Sequence, residues 1–539
     1  MLDYLVAAFV SEEMEENPTA ATQLGLPGHD HRLGEFSAAD FERRATNEDR
    51  WLERFRDLDD AELSAEERID RDLVVSALRG RRLVRPWAAW RRDPSVYLDP
   101  CLWGPFRLFL HRLHPEPDLV EWAAARLRQV PRVLEQAREN LEPDLTSPVF
   151  VARAKGACRA GVAYTRDLIA GEASDGAARA RLGEAGEVAA GALEGFGAYL
   201  EELGAAAAGP YAIGEELYSA LLREKEGLAY GAGELRQRGQ AAYDGIAAEM
   251  DELARRIEGP GGGGWRPLLE RLNADHPTSP EAMRDAYADW SAKARRFLHR
   301  TGIVSMPEGE VCRVTPSPPF LRPVLAVASY VAPPAFQPSA TGTFFVPFPP
   351  EGTPADEVQK RLETNSHHSI PTVAVHEAYP GHHWHLTTVG LRGRPIRKVL
   401  GTPFFSEGWA LYAERLMREH GFFADLRHEL CHLDARLFRA ARMVVDTSLH
   451  LGDMGFDEAV TFMTTRASLS EPTARAEVAR YCARPTQAVS YLTGALEIER
   501  IRERYLASGR GDLRRFNDTI AASGMLPVAL AERAVLGPD

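Results

Sequence analysis

Apolar residues recur at helical spacing along most of this chain. Residues 38–80, 117–142 and 150–205 are rich in Ala, Leu, Glu and Arg, with apolar positions three and four apart, the pattern of helices that each bury one face. The Ala/Gly-rich part from about residue 170 to 210 keeps that pattern, which favours close helix packing over a linker. The pattern stops at Gly259–Trp265, where four consecutive glycines mark a flexible loop. No G-K-[S/T] follows them, so the run is not a phosphate cradle. Helical spacing resumes to about Arg300, then changes character over residues 310–350. Val311–Thr315, Val324–Val331 and Gly342–Pro347 are β-prone and separated by Pro-rich turns, which predicts a small sheet. No internal repeat is visible. The expectation is a mainly α fold with a small sheet at about 310–350. Residues 1–258 would form a helical N-terminal region and 265–539 a second region, packed as one compact body.

Composition narrows the function classes. The chain has 539 residues, 45% of them hydrophobic, ample for a sizeable core. A net charge of −14 argues against nucleic acid as a partner, because a phosphate backbone demands basic patches. Five cysteines, Cys101, Cys158, Cys312, Cys431 and Cys482, are scattered without a C-x-x-C spacing. That fits reduced thiols and a cytoplasmic location better than a disulfide framework or a cysteine–zinc site. The opening MLDYLVAAFVSEEMEEN is acidic with a short apolar run, unlike a signal peptide. No window approaches the roughly 20 apolar residues of a membrane span, so no membrane role is expected. Monomer and homodimer are equally compatible.

The chemistry concentrates between His367 and His450, which hold ten of the sixteen histidines. Within that window Thr372–His385 reads TVAVHEAYPGHHWH. Apolar residues lead into His376 and Glu377, the pair that opens an H-E-x-x-H zinc motif. The next histidines, His382 and His383, follow six and seven residues after His376 in place of four. Two imidazoles on one zinc, each about 2.0–2.1 Å from it, must lie close together, as residues four apart on a helix do at about 6 Å. On a regular helix His382 would point about 120° away from His376, and His383 would sit about 10 Å further along the axis. Pro380 forbids a regular helix, because it lacks an N–H and its ring clashes with the carbonyl of His376. Gly381 tolerates almost any backbone conformation. If Tyr379 and Pro380 bulge out as two extra residues, His382 falls where the second ligand belongs, in preference to His383. The helical segment FFSEGWALYAE follows at Phe404–Glu414. Glu407 stands at a distance suited to the third ligand of a glutamate-type zincin. Glu414 lies seven residues on and shares its face, placed to accept a hydrogen bond from a ligand histidine.

A literal H-E-x-x-H lies at His428, Glu429 and His432. Arg427, Asp434 and Arg436 surround it with charge, whereas a catalytic zinc helix is buried and preceded by apolar residues, as Val373–Val375 precede His376. It also lacks a convincing downstream glutamate, and it reads as an amphipathic helix carrying two histidines.

These residues resemble the bacterial proteins grouped as domain of unknown function 885, whose hallmark is HEAxPGHH followed by EGWAxYxE. RAARMVVDTSLH at Arg439–His450 and EVARYCARPTQAVSYLTG at Glu477–Gly494 are similar to further segments of that family. NPTAATQLGLPGHDHRLGEFS also looks family-like, so the resemblance covers nearly the whole chain. Thr486 departs from it, standing where the family often has glycine. The resemblance implies a mainly helical zincin with a deep cleft, similar to zinc carboxypeptidases of the Taq type, with residues 1–258 forming one wall of the cleft.

The chemistry expected is hydrolysis of an amide bond. Zinc on His376, His382 and Glu407 leaves one position for water, whose pKa falls towards about 7. Mn2+ or Co2+ would suit the same ligands. Glu377 is the general base, with Glu414 and His383 behind the ligands. Tyr491, or failing it His450, would donate to the oxyanion. A substrate carboxylate could meet Arg442, Arg480, Arg484 or Gln487. Arg439, Arg442, Asp446 and His450 share one helical face, so Arg442 and Asp446 could instead form a buried ion-pair stripe. Tyr330–Pro334 or Thr343–Val346 could hold substrate backbone as an edge strand. The substrate would be a peptide or a peptidyl small molecule, cut in a carboxypeptidase-like manner. The alternatives are an amide hydrolase that removes an aminoacyl or peptidyl group from a specialised metabolite, and a non-catalytic peptide-binding module.

Overall fold

Helix caps stand where the apolar pattern turns over. Ser37 accepts from the Asp40 amide at the start of Ala38–Arg56, and Ser64 with Glu67 forms a capping box before Ala65–Val84, each satisfying amides that the first turn leaves open. In the computed structural model, which describes residues 2–319, 321–322, 327–337 and 339–537, the chain is mainly helical with one three-stranded sheet. Among the described residues no helix is long and apolar enough to cross a membrane. All five cysteines are free.

The chain divides into two compact units, residues 1–213 with 334–337, and residues 214–333 with 338–539. The boundary lies at Ile213/Gly214, ahead of the glycine run at which the sequence divided. The glycine run is a turn inside the second unit, between helices Ala232–Glu258 and Trp265–Asn273. Helix Ala232–Glu258 joins the second unit because it packs along helix Leu426–Leu451. Gly239 allows the close approach, since a Cβ there would lie 2.6 Å from Cβ of Met443. The first unit is built from helices that include Glu116–Asn140 and Gly176–Ala206. Its buried Arg126 donates to the carbonyls of Gly104, Arg32 and His29 and to the Thr22 hydroxyl, so the guanidinium is satisfied without a carboxylate.

The sheet of the second unit consists of β1 (Val311–Pro316), β2 (Ser329–Val331) and β3 (Thr341–Val346), in the order β1-β3-β2. β1 runs parallel and β2 antiparallel to β3. The predicted strand Val324–Val331 begins on residues 324–326, which lie outside the described residues. Thr343–Val346 lies in the central strand, paired on both sides, so it cannot take a substrate strand. Tyr330 lies in the edge strand β2 and remains available for that role. Its ring crosses Gly342, where a Cβ would lie 1.8 Å from the Tyr330 hydroxyl.

Helices Pro403–Glu419 and Ser490–Ala507 form the other close pair of this unit. They meet at Gly408 and Gly494, where a Cβ on Gly494 would lie 1.8 Å from the carbonyl oxygen of Phe404. Thr486 has φ +69°, in the left-handed region that glycine occupies without strain. The one noted departure from the family pattern therefore falls on a position whose backbone favours glycine.

Gly494→Ala is expected to destabilise the second unit. Alanine gains about 1 kcal/mol over glycine in a helix interior. Overpacking costs roughly 1–3 kcal/mol when neighbouring side chains can yield, and here the obstacle is backbone. A lowered thermal midpoint with unchanged far-UV dichroism is the expected outcome; a midpoint at or above wild type would contradict it.

Candidate metal-binding site

The helix that begins at Ile370 ends at Glu377, and a new helix begins at His382. Between them the amide of Gly381 donates to the carbonyl of Val375 at 3.1 Å, and that of Trp384 to Ala378 at 3.2 Å. Both bonds span six residues where a regular helix spans four, so two extra residues are accommodated. The Tyr379–Pro380 peptide is cis. Gly381 crosses so close to the preceding turn that a Cβ would lie 1.9 Å from the carbonyl oxygen of His376. The displaced carbonyl of Pro380 accepts from the indole of Trp409 at 2.7 Å. The neighbouring helix thus satisfies the polar group that the interruption leaves open.

This interruption brings His382 beside His376, with ring centroids 4.8 Å apart. Glu407, from helix Pro403–Glu419, completes the group: its Oε2 lies 3.6 Å from Nε2 of His376 and 3.4 Å from Nε2 of His382. These separations are long for hydrogen bonds. They match the spacing of about 3.3 Å between tetrahedral ligands that each sit 2.0–2.1 Å from one ion. The three ligand atoms lie within 4.8 Å of one another and could hold a metal ion. His376 is buried, while His382 and Glu407 keep partial exposure, leaving the group open on one side.

Nδ1 of His376 meets Oε1 of Glu414 at 2.7 Å, which turns Nε2 towards the group. Burial opposes charge on His376, yet Glu407, Glu414 and Glu377 outweigh it and push its pKa up to about 10. Burial also opposes the charges of Glu407 and Glu414, but the histidines beside them hold both carboxyls well below the usual range. Glu377 goes the other way: burial raises its pKa against the pull of His376, His382 and Arg439. Three glutamates thus converge where their charge needs a cationic counterpart.

His383 is turned elsewhere. Its Nδ1 lies 3.0 Å from the Tyr330 hydroxyl and its Nε2 2.9 Å from Oε2 of Glu310, so neither nitrogen is open for a ligand role. Glu310 also accepts from the Tyr379 hydroxyl and, at 2.5 Å, from Nε of Arg295. Glu310, Arg295 and Trp409 anchor the interruption, a role that no motif spacing indicated. The H-E-A-Y-P-G-H-H segment itself was the signal that such an anchor must exist, since Tyr379 and His383 needed buried partners.

The remaining predicted residues separate into two groups. Tyr491 feels the charge of Glu407 and is stacked 4.7 Å from the Arg442 guanidinium. Arg442 donates to Oε2 of Glu477 at 2.7 Å and to the Tyr481 hydroxyl, and Arg480 reaches the same Oε2 at 2.8 Å. Gln487 accepts from Arg480. The stripe expected between Arg442 and Asp446 does not form, because Asp446 accepts from the Tyr218 hydroxyl and the Thr486 amide. Arg484 is exposed at the end of helix Glu471–Ala483. His450 is fully buried and meets the Tyr481 carbonyl at 3.0 Å, so it is not brought to the group. In the literal motif, His428 packs on Trp290 and Glu429 pairs with Arg418. His432 lies 3.3 Å from Oε2 of Glu414. One helical turn therefore sends its two histidines to different places.

Two solved structures share this fold across its length. One is described as "a putative lipoprotein of unknown function from Shewanella oneidensis", with TM-score 0.80, 21% identity, and coverage of 99% of this chain and 100% of that one. The other is "the putative lipoprotein from Colwellia psychrerythraea", with TM-score 0.81, 19% identity, and coverage of 99% and 98%. No curated protein matches the chain. Residues 18–535 match the family described as bacterial protein of unknown function, DUF885, and the chain belongs to that family.

Proposed function

We propose that this protein is a metal-dependent amide hydrolase, with His376, His382 and Glu407 as ligands of one zinc ion and Glu377 as general base. The observation that carries this reading is the 3.4 and 3.6 Å spacing of the two imidazole nitrogens about Glu407 Oε2. A zinc ion held there would polarise a substrate carbonyl and make water nucleophilic near neutral pH; Mn2+ or Co2+ would fit the same donors. The interrupted helix with a glutamate from a following helix is read as a zincin arrangement.

The chain's own residues then have definite tasks. Glu414 fixes the His376 ring by accepting at Nδ1. Glu377, its pKa raised by burial, accepts a proton from the attacking water and returns it to the leaving amine. Tyr491 beside Glu407 donates to the developing oxyanion. Arg442 and Arg480 share the single carboxylate of Glu477, which favours a substrate with an anionic end, as in carboxypeptidase-like cleavage. Edge strand β2 offers backbone groups to an extended peptide. The substrate class is a peptide or a small peptidyl conjugate.

Glu377→Gln should retain metal while peptide-library turnover falls by roughly 10²–10⁴, the usual contribution of a general base. Undiminished turnover would remove Glu377 as the base, and no turnover in wild type loaded with zinc would favour a binding module. Gly381→Ala should lower zinc uptake by elemental analysis, because its Cβ would displace the carbonyls that position His376. Products shortened by one C-terminal residue would support carboxypeptidase-like action, and internal fragments would oppose it.

A further inference from the structure

The histidine that the literal motif does not place at Glu414 has its own partners. His428 lies in the first turn of helix Leu426–Leu451, whose N-cap is Asp425. His368 lies just ahead of helix Ile370–Glu377, with its ring 5.7 Å from that of His428. One donor atom each from His368, Asp425 and His428 lies within 4.8 Å of the other two. We propose that these three residues form a second metal site, for a borderline divalent ion such as Zn2+, Co2+ or Ni2+.

His368 makes this more than a chance grouping. Its side chain is 7% exposed, and its Nε2 meets Oδ2 of Asp275 at 2.8 Å. Its Nδ1 is buried with no partner, which is costly unless something else satisfies it. A carboxylate behind a histidine is the usual support for a metal ligand. Arg427 donates to both oxygens of Asp425, which fixes the carboxylate in the group. Two imidazoles and one carboxylate suit borderline ions better than Mg2+ or Ca2+. His428 and Asp425 are partly exposed, which leaves a route for the ion and room for water as a further ligand.

His368 and His376 are eight residues apart, on the order of 10 Å along a helical path. That is too far for the two ions to bridge one substrate, as paired metals about 3.5–4 Å apart do. The second ion would instead tie the start of helix Ile370–Glu377 to the start of helix Leu426–Leu451. It would steady the two elements that carry His376 and His432. This assignment does not depend on the function proposed above.

The test is zinc uptake by tag-free protein, stripped with a chelator and dialysed against ZnCl2, with the Co2+ absorption spectrum read in parallel. Wild type should take up two equivalents. His428→Ala and Asp425→Asn should each take up one and lose the zinc-induced rise in thermal midpoint, and His382→Ala should also take up one. Asp425→Asn keeps a capping oxygen, so it reports even if His428→Ala folds poorly. Uptake of two equivalents that His428→Ala and Asp425→Asn leave unchanged would overturn the second site. So would a single equivalent lost only in His382→Ala. A count lowered by His428→Ala and untouched by His382→Ala would uphold it while removing the site at Glu407.

Discussion

The geometry of the candidate site rests on one interruption in one helix. Between His376 and His382 the backbone must absorb two residues and still leave no buried carbonyl open. Pro380 prevents the regular hydrogen bond, Gly381 lets the chain pass within van der Waals reach of the preceding turn, and Trp409 donates to the carbonyl left over. An unsatisfied buried carbonyl costs about 1–3 kcal/mol, a large fraction of the 5–15 kcal/mol by which proteins are stable. The tryptophan that prevents this comes from the same helix as Glu407 and Glu414. Holding the interruption and presenting the carboxylates are therefore one packing event.

That packing event depends on close backbone approach elsewhere. Helix Pro403–Glu419 can reach the interrupted helix while lying against Ser490–Ala507 because Gly408 and Gly494 face each other. On the far side, Glu310 receives Tyr379, His383 and Arg295, so the residues of the interruption that do not face Glu407 are held as firmly as those that do. Adjacent histidines thus part company: His382 is turned to Glu407 and His383 to Glu310. The same separation recurs in Leu426–Leu451, where His432 faces Glu414 and His428 faces His368. In both cases the local sequence places two imidazoles close together, and the surrounding carboxylates decide which way each one serves.

The sequence was most legible where chemistry is local. The interruption of the helix followed from proline and glycine geometry, its two-residue length from the spacing of the zinc motif, and the placing of Glu414 on the face of Glu407 from a seven-residue helical repeat. It was least legible where a residue's partner comes from a distant segment. Arg442 reads as a substrate binder or a partner of Asp446, and only the approach of helix Glu471–Ala483 sets one carboxylate, Glu477, between it and Arg480. His450 reads as a donor, yet it is fully buried with its Nε2 on the Tyr481 carbonyl. Thr343–Val346 reads as an edge, but strand order is set by which segments fold against it, and it lies in the middle.

What the sequence determined by itself is the helical character, the small sheet, and the spacing that lets His376, His382 and Glu407 meet. These depend on periodicity, on a proline without an N–H and on a glycine without a Cβ, properties that each residue carries with it. Tertiary structure decided where the units divide, which strand is central, which arginine is already satisfied, and which of two neighbouring histidines faces which carboxylate. Those depend on partners brought in from other segments of the chain, and no local pattern specifies which of several buried carboxylates a given cation or imidazole will reach.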